Sequence, residues 1–324
     1  MNIIITGCSG FIGFHLAKSL LKSKKNKIIG IDNIDNYYDV KIKYHRTKEL
    51  KKFKNFKFFK INICDRKKLE IIFRKVKKID LVINLAAQAG VRYSFINPKK
   101  YIDVNINGFF NVIELSKKYK TKFFIFASSS SVYGDSKSKI LKESDVNIKP
   151  ISLYGSTKLS NEIISYTYSK LFKMNCIGLR FFTVYGPWGR PDMSLNQFVK
   201  KIILNKKIPL FNKGDHVRDF TYIDDVINGI NKIIRRRSII KSKKIPFQIL
   251  NISSSNPIKL ISYLEIIEKK LNKKSKLKLL ALQKGDVRKT HGDTTLITKY
   301  GYKVKTNIKD GISNFVDWYK SYYK

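Results

Sequence analysis

Short apolar runs alternate with amphipathic segments over residues 1–183 of the chain. Six runs predict strands: NIIIT, KIIGID, FKFFKIN, KIDLVINLAA, KFFIFASSS and CIGLRFFT. Two of the segments between them predict helices, KKYIDVNINGFFNVIELSKKY and YGSTKLSNEIISYTYSKLF. Because apolar strands that alternate with helices are covered on both faces, the pattern indicates an α/β fold with a doubly wound parallel sheet.

The alternation becomes less regular from about residue 184, where Pro187, Pro191 and Pro209 interrupt it. No internal repeat or low-complexity linker separates the two halves. We therefore predict a first domain over 1–183, with return segments near 217–254, and a smaller α/β domain over 184–324 that interleaves with it.

Length and composition favour a globular protein. The chain has 324 residues with 43% hydrophobic content, enough to bury a sizeable core. Its three cysteines lie far apart and its four histidines lack the spacing of metal ligands, so we expect neither disulfides nor a metal site. No apolar run reaches the ~18 residues that a bilayer span needs. We expect a reduced, cytoplasmic protein with no membrane partner.

The net charge of +42, from 66 Lys and Arg against 24 Asp and Glu, would attract polyanions. The basic residues are mostly lysines, however, and they are spread over the whole chain in segments such as LLKSKKNK and KKLNKKSKLKLL. No recognised nucleic-acid-binding module accompanies them. We interpret the charge as solvated surface with a coding bias, and expect no nucleic-acid partner.

The opening stretch MNIIITGCSGFIGFHLAKSL permits two interpretations, an export signal or a strand that enters a phosphate-binding turn. An export signal needs a basic start and an unbroken apolar core, and glycines interrupt this one. Gly7, Gly10 and Gly13 instead allow a tight turn, close approach of backbone N–H groups to a pyrophosphate, and packing of a helix on the strand. We therefore predict a dinucleotide site.

Asp32 supports this interpretation and indicates NAD. It ends the second predicted strand, nineteen residues after Gly13. A carboxylate there accepts both ribose hydroxyls of NAD and repels a 2′-phosphate. The alternative is that Asp32 serves only as a turn residue in DNIDN.

The candidate chemistry lies in YGSTK, where Tyr154 and Lys158 share one face of a predicted helix. A neighbouring ammonium and a positively charged nicotinamide ring both favour the phenolate form of such a tyrosine. The phenolate can remove a proton from a sugar hydroxyl while hydride leaves the carbon. The serines of ASSSSVYG supply hydroxyls at a strand end, unless they only cap a loop.

Eight motifs together carry a family resemblance: TGCSGFIG, GIDNIDNYYD, LAAQAGVRYS, FASSSSVYG, YGSTK, LRFFTVYGPWGRPDM, RDFTYIDD and GDV. The chain resembles the extended short-chain dehydrogenase/reductases, and within them the UDP-glucuronate 4-epimerases. The resemblance covers almost the whole chain. It implies a Rossmann fold over 1–183, a UDP-sugar-binding domain over 184–324, and bound NAD that takes hydride from C4 of the sugar and returns it.

The resemblance also implies roles at matching positions. Ser129, Tyr154 and Lys158 match the catalytic residues. Residues implied for the substrate are Ser129, Arg190 for the nucleotide-sugar region, Arg218 for the diphosphate and Asp286 for the uridine ribose. Residues implied for NAD are Gly7, Gly10, Phe11, Ile12, Gly13, Asp32, Asn33, Asn62, Ile63, Leu85, Ala86, Ala87, Gln88, Tyr154 and Lys158.

Asn62 departs from the family, which usually has an aspartate there. The amide oxygen of Asn62 could still accept a hydrogen bond from the adenine amino group. The arginines have the alternative role of surface ion pairs. Relatives often form homodimers through the two helices quoted above, so we expect a homodimer.

The uronate substrate that the resemblance implies must be protected from decarboxylation during the reaction. A 4-keto uronic acid is a β-keto acid, and it loses carbon dioxide when its carboxylate stands perpendicular to the ketone plane. Hydroxyls of Ser130, Ser131 and Thr183 could hold the carboxylate near that plane. The alternatives are a 4-epimerase of a neutral UDP-hexose, a UDP-glucuronate decarboxylase, an NAD-binding sensor without turnover, and a polyanion-binding protein.

Overall fold

The computed structural model describes residues 1–324, and its largest element is a seven-stranded parallel sheet. The strands are β1 (Asn2–Thr6), β2 (Lys27–Asp32), β3 (Phe56–Lys60), β4 (Leu81–Asn84), β5 (Phe124–Ser129), β6 (Cys176–Phe181), β7 (Thr183–Tyr185), β8 (Lys207–Phe211), β9 (Val217–Arg218), β10 (Phe220–Tyr222), β11 (Phe247–Ile252), β12 (Ile258–Lys259) and β13 (Lys276–Leu280). The large sheet has the order β11-β6-β5-β4-β1-β2-β3, and all its pairs are parallel. The predicted doubly wound sheet is confirmed.

Helices cover both faces of this sheet. They are α1 (Phe11–Leu21), α2 (Val40–Lys51), α3 (Arg66–Lys75), α4 (Tyr93–Ile96), α5 (Pro98–Tyr101), α6 (Phe109–Lys118), α7 (Leu153–Phe172), α8 (Ser194–Ile203), α9 (Ile223–Arg235), α10 (Leu260–Leu271), α11 (Thr295–Thr298) and α12 (Ile308–Tyr322). No helix is both long and apolar enough to cross a membrane.

Alternate strand residues enter two separate cores, as the pleat requires. Ile3 and Ile5 of β1 pack in the core that also contains α1 and α9, whereas Ile4 packs with α3 and α6. All three side chains are at most 1% exposed, so β1 is buried on both faces. The first core continues into the second half of the chain through α8, α10 and α12.

The six predicted strands are present, several of them shorter than their apolar runs. The run KIDLVINLAA, for example, pairs only over Leu81–Asn84 and then becomes a loop. The seventh strand, β11, lies outside the six predicted runs and comes from the second half of the chain. It pairs with β6 and so completes one edge of the sheet.

The predicted helix over residues 99–119 is interrupted. A π-helical segment, Ile102–Gly108, lies between α5 and α6. It contains Asn105, whose side chain accepts from the Gln88 N–H at 2.8 Å and donates to Thr157 Oγ1 at 3.1 Å. The widened turn therefore positions the Asn105 side chain to form hydrogen bonds with both the loop after β4 and α7.

The second half adds small sheets and helices beside the large sheet. β7 pairs with β10 and β8 with β13, both parallel, while β9 and β12 are antiparallel. α9 packs against α1, and α10 packs against α12. The division into a cofactor domain and a substrate domain near residue 183 stays a prediction.

Candidate active site

A cavity of about 270 Å³ lies at the carboxyl ends of the sheet strands. Loops that follow parallel strands meet at this edge, where α/β sheets bind their ligands. Every residue predicted to bind NAD lines the cavity. These are Gly7, Gly10, Phe11, Ile12, Gly13, Asp32, Asn33, Asn62, Ile63, Leu85, Ala86, Ala87, Gln88, Tyr154 and Lys158.

The glycine turn between β1 and α1 has the geometry that a pyrophosphate requires. Gly7 has φ +73°, and a Cβ there would lie 2.7 Å from the Ala86 nitrogen. A Cβ on Gly13 would lie 2.1 Å from the Gly7 carbonyl oxygen, so α1 packs closely on the turn. Gly10 begins α1 without a side-chain cap. The first N–H groups of the helix are thus available to an anion.

The contacts of Asp32 fit both roles considered for it, a turn residue and an acceptor for the ribose hydroxyls of NAD. Its carboxylate accepts from the Ile34 N–H at 2.8 Å, which is the local turn, and from the Ser9 N–H at 3.0 Å, which holds the glycine turn. Burial raises the pKa of Asp32, and Lys43 opposes that shift. The carboxylate also lines the cavity, and each oxygen retains acceptor capacity for a ribose hydroxyl.

Asn62 uses its side chain locally. Its Oδ1 accepts from the Cys64 N–H at 3.0 Å, which is a short side-chain-to-backbone turn. The amide still lines the cavity beside Ile63. An adenine amino group would therefore share this oxygen with Cys64.

The catalytic candidates come together at one wall of the cavity. Ser129 ends β5, while Tyr154 and Lys158 lie one turn apart on α7. The Ser129 hydroxyl lies close enough to the Tyr154 hydroxyl to lower its pKa. Lys158 Nζ donates to the Ala127 carbonyl at 2.9 Å and lies 5.9 Å from the centre of the Tyr154 ring. The predicted trio is thus one constellation in the structure.

Burial dominates the electrostatics of this wall. It raises the pKa of Tyr154, while Ser129 and the Arg190 charge lower it by less. Desolvation of the phenolate therefore outweighs the opposing effects in this structure. The prediction that Lys158 and a nicotinamide ring together favour the phenolate stays a prediction. Burial also lowers the pKa of Lys158 to about 8.

Beneath this wall lies a buried ion pair that the sequence did not suggest. Glu162, one turn after Lys158, accepts from Arg180 of β6 at 2.9 and 2.7 Å. The same carboxylate accepts from the Ser128 hydroxyl at 2.5 Å. Because Ser128 precedes Ser129, the pair fixes the end of β5 relative to α7.

The predicted substrate residues divide into two groups. Ser129 and Arg190 line the main cavity, and Thr183 lines a smaller one beside it that Arg190 also borders. Ser131 accepts from Ser129 Oγ at 3.2 Å, although neither Ser130 nor Ser131 lines the cavity.

Arg218 and Asp286 do not line either cavity. They pair with each other at 3.0 Å, and Asp286 also lies 3.5 Å from Arg92. The ion-pair alternative therefore describes their arrangement in this structure. Their predicted roles with UDP stay predictions.

Several lining residues were not among the predicted site residues. Tyr37 and Tyr38 belong to the quoted motif GIDNIDNYYD, which was the available signal for them. Met193 ends the quoted motif LRFFTVYGPWGRPDM, which was the signal for it. Lys43 carries no local signal, because only the tertiary fold brings α2 to the cavity. The remaining ones are Asp35, Ile61, Ala89, Val104, Ala127, Ser128, Phe181, Phe182 and Val184.

The chain is similar in sequence to a known family. A family model described as the NAD dependent epimerase/dehydratase family matches residues 3–252. Protein CapI of Staphylococcus aureus is 43% identical over 336 residues, with 100% of both chains covered. The UDP-glucuronate 4-epimerase of Thermodesulfobacterium geofontis is 40% identical over 319 residues, which cover 98% of this chain and 95% of the relative.

A solved structure is similar over the whole length. The UDP-glucuronic acid 4-epimerase of Bacillus cereus, in complex with UDP-glucuronic acid and NAD, has a TM-score of 0.92 and 32% identity, with 100% of both chains covered.

Replacing the buried lysine should change how stability depends on pH. The pKa of Lys158 is about 8 in the folded protein against 10.5 as its ordinary value, so the unfolded chain binds more protons between these two pH values. The free energy of unfolding of the wild type should therefore rise with pH over this window, by roughly 2–3 kcal/mol relative to Lys158→Met. Urea unfolding of both proteins from about pH 7 to pH 10.5 measures the difference.

A matched control is Lys170→Met, which changes an exposed lysine of the same helix. Its stability relative to the wild type should stay constant over the window. A constant difference for Lys158→Met as well would contradict the assignment.

Proposed function

The chain belongs to the NAD dependent epimerase/dehydratase family, and we propose that it is a UDP-glucuronate 4-epimerase that interconverts UDP-glucuronate and UDP-galacturonate. The observation that carries the proposal is the convergence of Ser129, Tyr154 and Lys158 on the cavity that the glycine turn and Asp32 also line. NAD is the cofactor of this family, and the free N–H groups of α1 and the Asp32 carboxylate fit it.

The reaction inverts C4 without net redox change. NAD held by the glycine turn and Asp32 would supply a reversible hydride acceptor for C4, so that hydride could return to the opposite face once the 4-keto sugar has turned in the cavity. Tyr154 takes the proton of the C4 hydroxyl and later gives it back, which is general base and then general acid catalysis. Ser129 donates to the same sugar oxygen and keeps it in line with the phenol.

Lys158 has two roles in this scheme. It is a cation one helical turn from Tyr154, and the positive charge opposes the desolvation that raises the pKa of the phenol. Its Nζ donates to the Ala127 carbonyl, which fixes the ammonium at the end of β5 and leaves further N–H groups for the nicotinamide ribose.

Recognition of a uronate would use the hydroxyl group of Thr183 near Arg190. Thr183 lines the smaller cavity that Arg190 also borders. Its hydroxyl would hold the C6 carboxylate near the plane of the C4 ketone and so suppress decarboxylation. Ser131 lies within hydrogen-bond distance of Ser129, outside the cavity lining, and the predicted share of Ser130 and Ser131 in holding the carboxylate stays a prediction.

Incubation with UDP-glucuronate and no added NAD should test the function. We expect UDP-galacturonate as the product by NMR, and a loss of at least about 100-fold in rate for Tyr154→Phe, because the variant has no phenol to transfer the proton. Turnover of a neutral UDP-hexose alone, accumulation of a decarboxylated pentose, or full activity of Tyr154→Phe would contradict the proposal.

Removing the Thr183 hydroxyl should alter product partition. Thr183→Val keeps the shape of the side chain but removes a donor to the carboxylate, so the 4-keto uronate should lose carbon dioxide more often. We expect the ratio of 4-keto pentose and UDP-xylose-type products to epimerised uronate to rise about tenfold, the effect of one hydrogen bond to a charged group. Thr298→Val changes an exposed threonine and should leave the ratio unchanged. No rise in Thr183→Val would show that the hydroxyl does not hold the carboxylate.

We also propose a homodimer formed through α6 and α7. These helices contact each other and expose apolar side chains, among them Phe110 (42% exposed), Ile163 (60%) and Tyr166 (41%). A second copy would remove this surface from water.

Ile163→Lys should therefore weaken the dimer, whereas the same change at Val146, which is 87% exposed in a loop, should not. Analytical ultracentrifugation at micromolar concentration measures the mass of each. A monomeric wild type, or an Ile163→Lys variant as dimeric as the wild type, would contradict this interface.

A further inference from the structure

Arg190 is the only arginine that lines the main cavity, and its guanidinium group is already held by a carboxylate. Nε donates to Asp192 Oδ1 at 3.0 Å, and Nη2 donates to Oδ2 of the same residue. The two parallel hydrogen bonds fix the plane of the guanidinium group. They leave Nη1 as the nitrogen without a bond to Asp192.

Tyr37 lies beside this ion pair. The Arg190 guanidinium carbon lies 5.7 Å from the centre of the Tyr37 ring. Burial, to which the Asp192 charge adds, raises the pKa of Tyr37 to about 12, so its hydroxyl stays a donor. Arg190 in turn lowers the pKa of Asp192 against the effect of burial, so the carboxylate stays charged.

The backbone around Tyr37 allows this arrangement only with glycine at position 90. Gly90 has φ +100°, and a Cβ there would lie 2.5 Å from the Tyr37 hydroxyl oxygen. Gly90 lies in the loop after β4, five residues from Leu85, which is one of the residues predicted to bind NAD. The cluster of Arg190, Asp192 and Tyr37 therefore reaches from the substrate side of the cavity to the cofactor side.

The backbone that carries Arg190 is fixed independently of Asp192. Arg46 is fully buried, donates to the Ser9 carbonyl at 2.9 Å, and also donates to the carbonyls of Trp188 and Gly189. Loss of the Asp192 charge would thus free the Arg190 side chain and leave its loop in place.

We propose that Asp192 is a positioning residue for catalysis, which together with Tyr37 sets the orientation of the Arg190 guanidinium toward the sugar. The proposal rests on the proposed function in that Arg190 faces the bound UDP-sugar. The Arg190 and Asp192 charges cancel. The carboxylate of a uronate would therefore bind an oriented N–H edge of the Arg190 guanidinium group rather than an uncompensated cation. Orientation, more than attraction, is what Arg190 contributes.

This role predicts a particular split between kinetic constants. In Asp192→Asn the arginine loses its bidentate partner, so kcat for UDP-glucuronate should fall about tenfold. KM should rise by less than about threefold, because the charge removed is a negative one beside an anionic substrate. Tyr37→Phe, which removes only the hydroxyl, should lower kcat by a smaller factor.

A double-mutant cycle tests whether Asp192 acts through Arg190. Arg190→Gln, Asp192→Asn and the double variant are compared by kcat and KM, with NAD content and the unfolding midpoint measured for each. If Asp192 only positions Arg190, the double variant should match Arg190→Gln within about twofold. Asp317→Asn removes an exposed carboxylate paired with Lys270 at 3.0 Å and should change nothing.

Three results would overturn the proposal: additive losses in the double variant, a kcat of Asp192→Asn within twofold of the wild type, or a loss explained by lower NAD content or unfolding. If the proposed function is wrong, the result is different: the wild type itself does not convert UDP-glucuronate. If the wild type converts another UDP-hexose, the same cycle on that sugar still measures whether Asp192 acts through Arg190.

Discussion

The contact between one face of α7 and the ends of β5 and β6 is the interaction on which the site depends. Gly155 makes the approach possible, because a Cβ there would lie 2.5 Å from the Ser131 carbonyl oxygen. Along the same helix Lys158 reaches the Ala127 carbonyl, and Glu162 reaches Ser128 and Arg180. The helical repeat thus places one polar side chain per turn against the sheet, and Tyr154 at the first turn is brought to the cavity wall by the others.

Much of this could be predicted from the sequence, because local rules decide it. β1 with its glycine turn, Asp32 at the end of β2, and the Tyr154 and Lys158 pair on one helix face follow from periodicity and side-chain chemistry. The three glycines of the turn, Asp32, Tyr154 and Lys158 all line the cavity. The parallel sheet then brings together residues that lie far apart in the chain, since its strands end at one edge.

The rest depends on tertiary contacts that leave no local pattern. β11 pairs with β6 across more than sixty residues, from Phe181 to Phe247, and only the sheet edge selects its partner. The π-helical turn at Asn105 exists because its amide has bonding partners on two other elements. The sequence pattern also could not predict the direction of the Tyr154 pKa shift. That direction depends on the depth of burial and not on the four-residue spacing to Lys158.

Lys158 and Arg190, the two cations at this corner of the cavity, differ in the groups that neutralise their charges. Lys158 is buried against a carbonyl with no carboxylate bonded to it, and burial lowers its pKa to about 8, so its charge can respond to a change at Tyr154. The pKa of Arg190 is raised, because the effect of Asp192 exceeds that of burial, so its charge is fixed. In the reaction proposed above, Lys158 would serve proton transfer and Arg190 would orient the sugar. The carbonyl partner of Lys158 and the carboxylate partner of Arg190 account for this difference between the two cations.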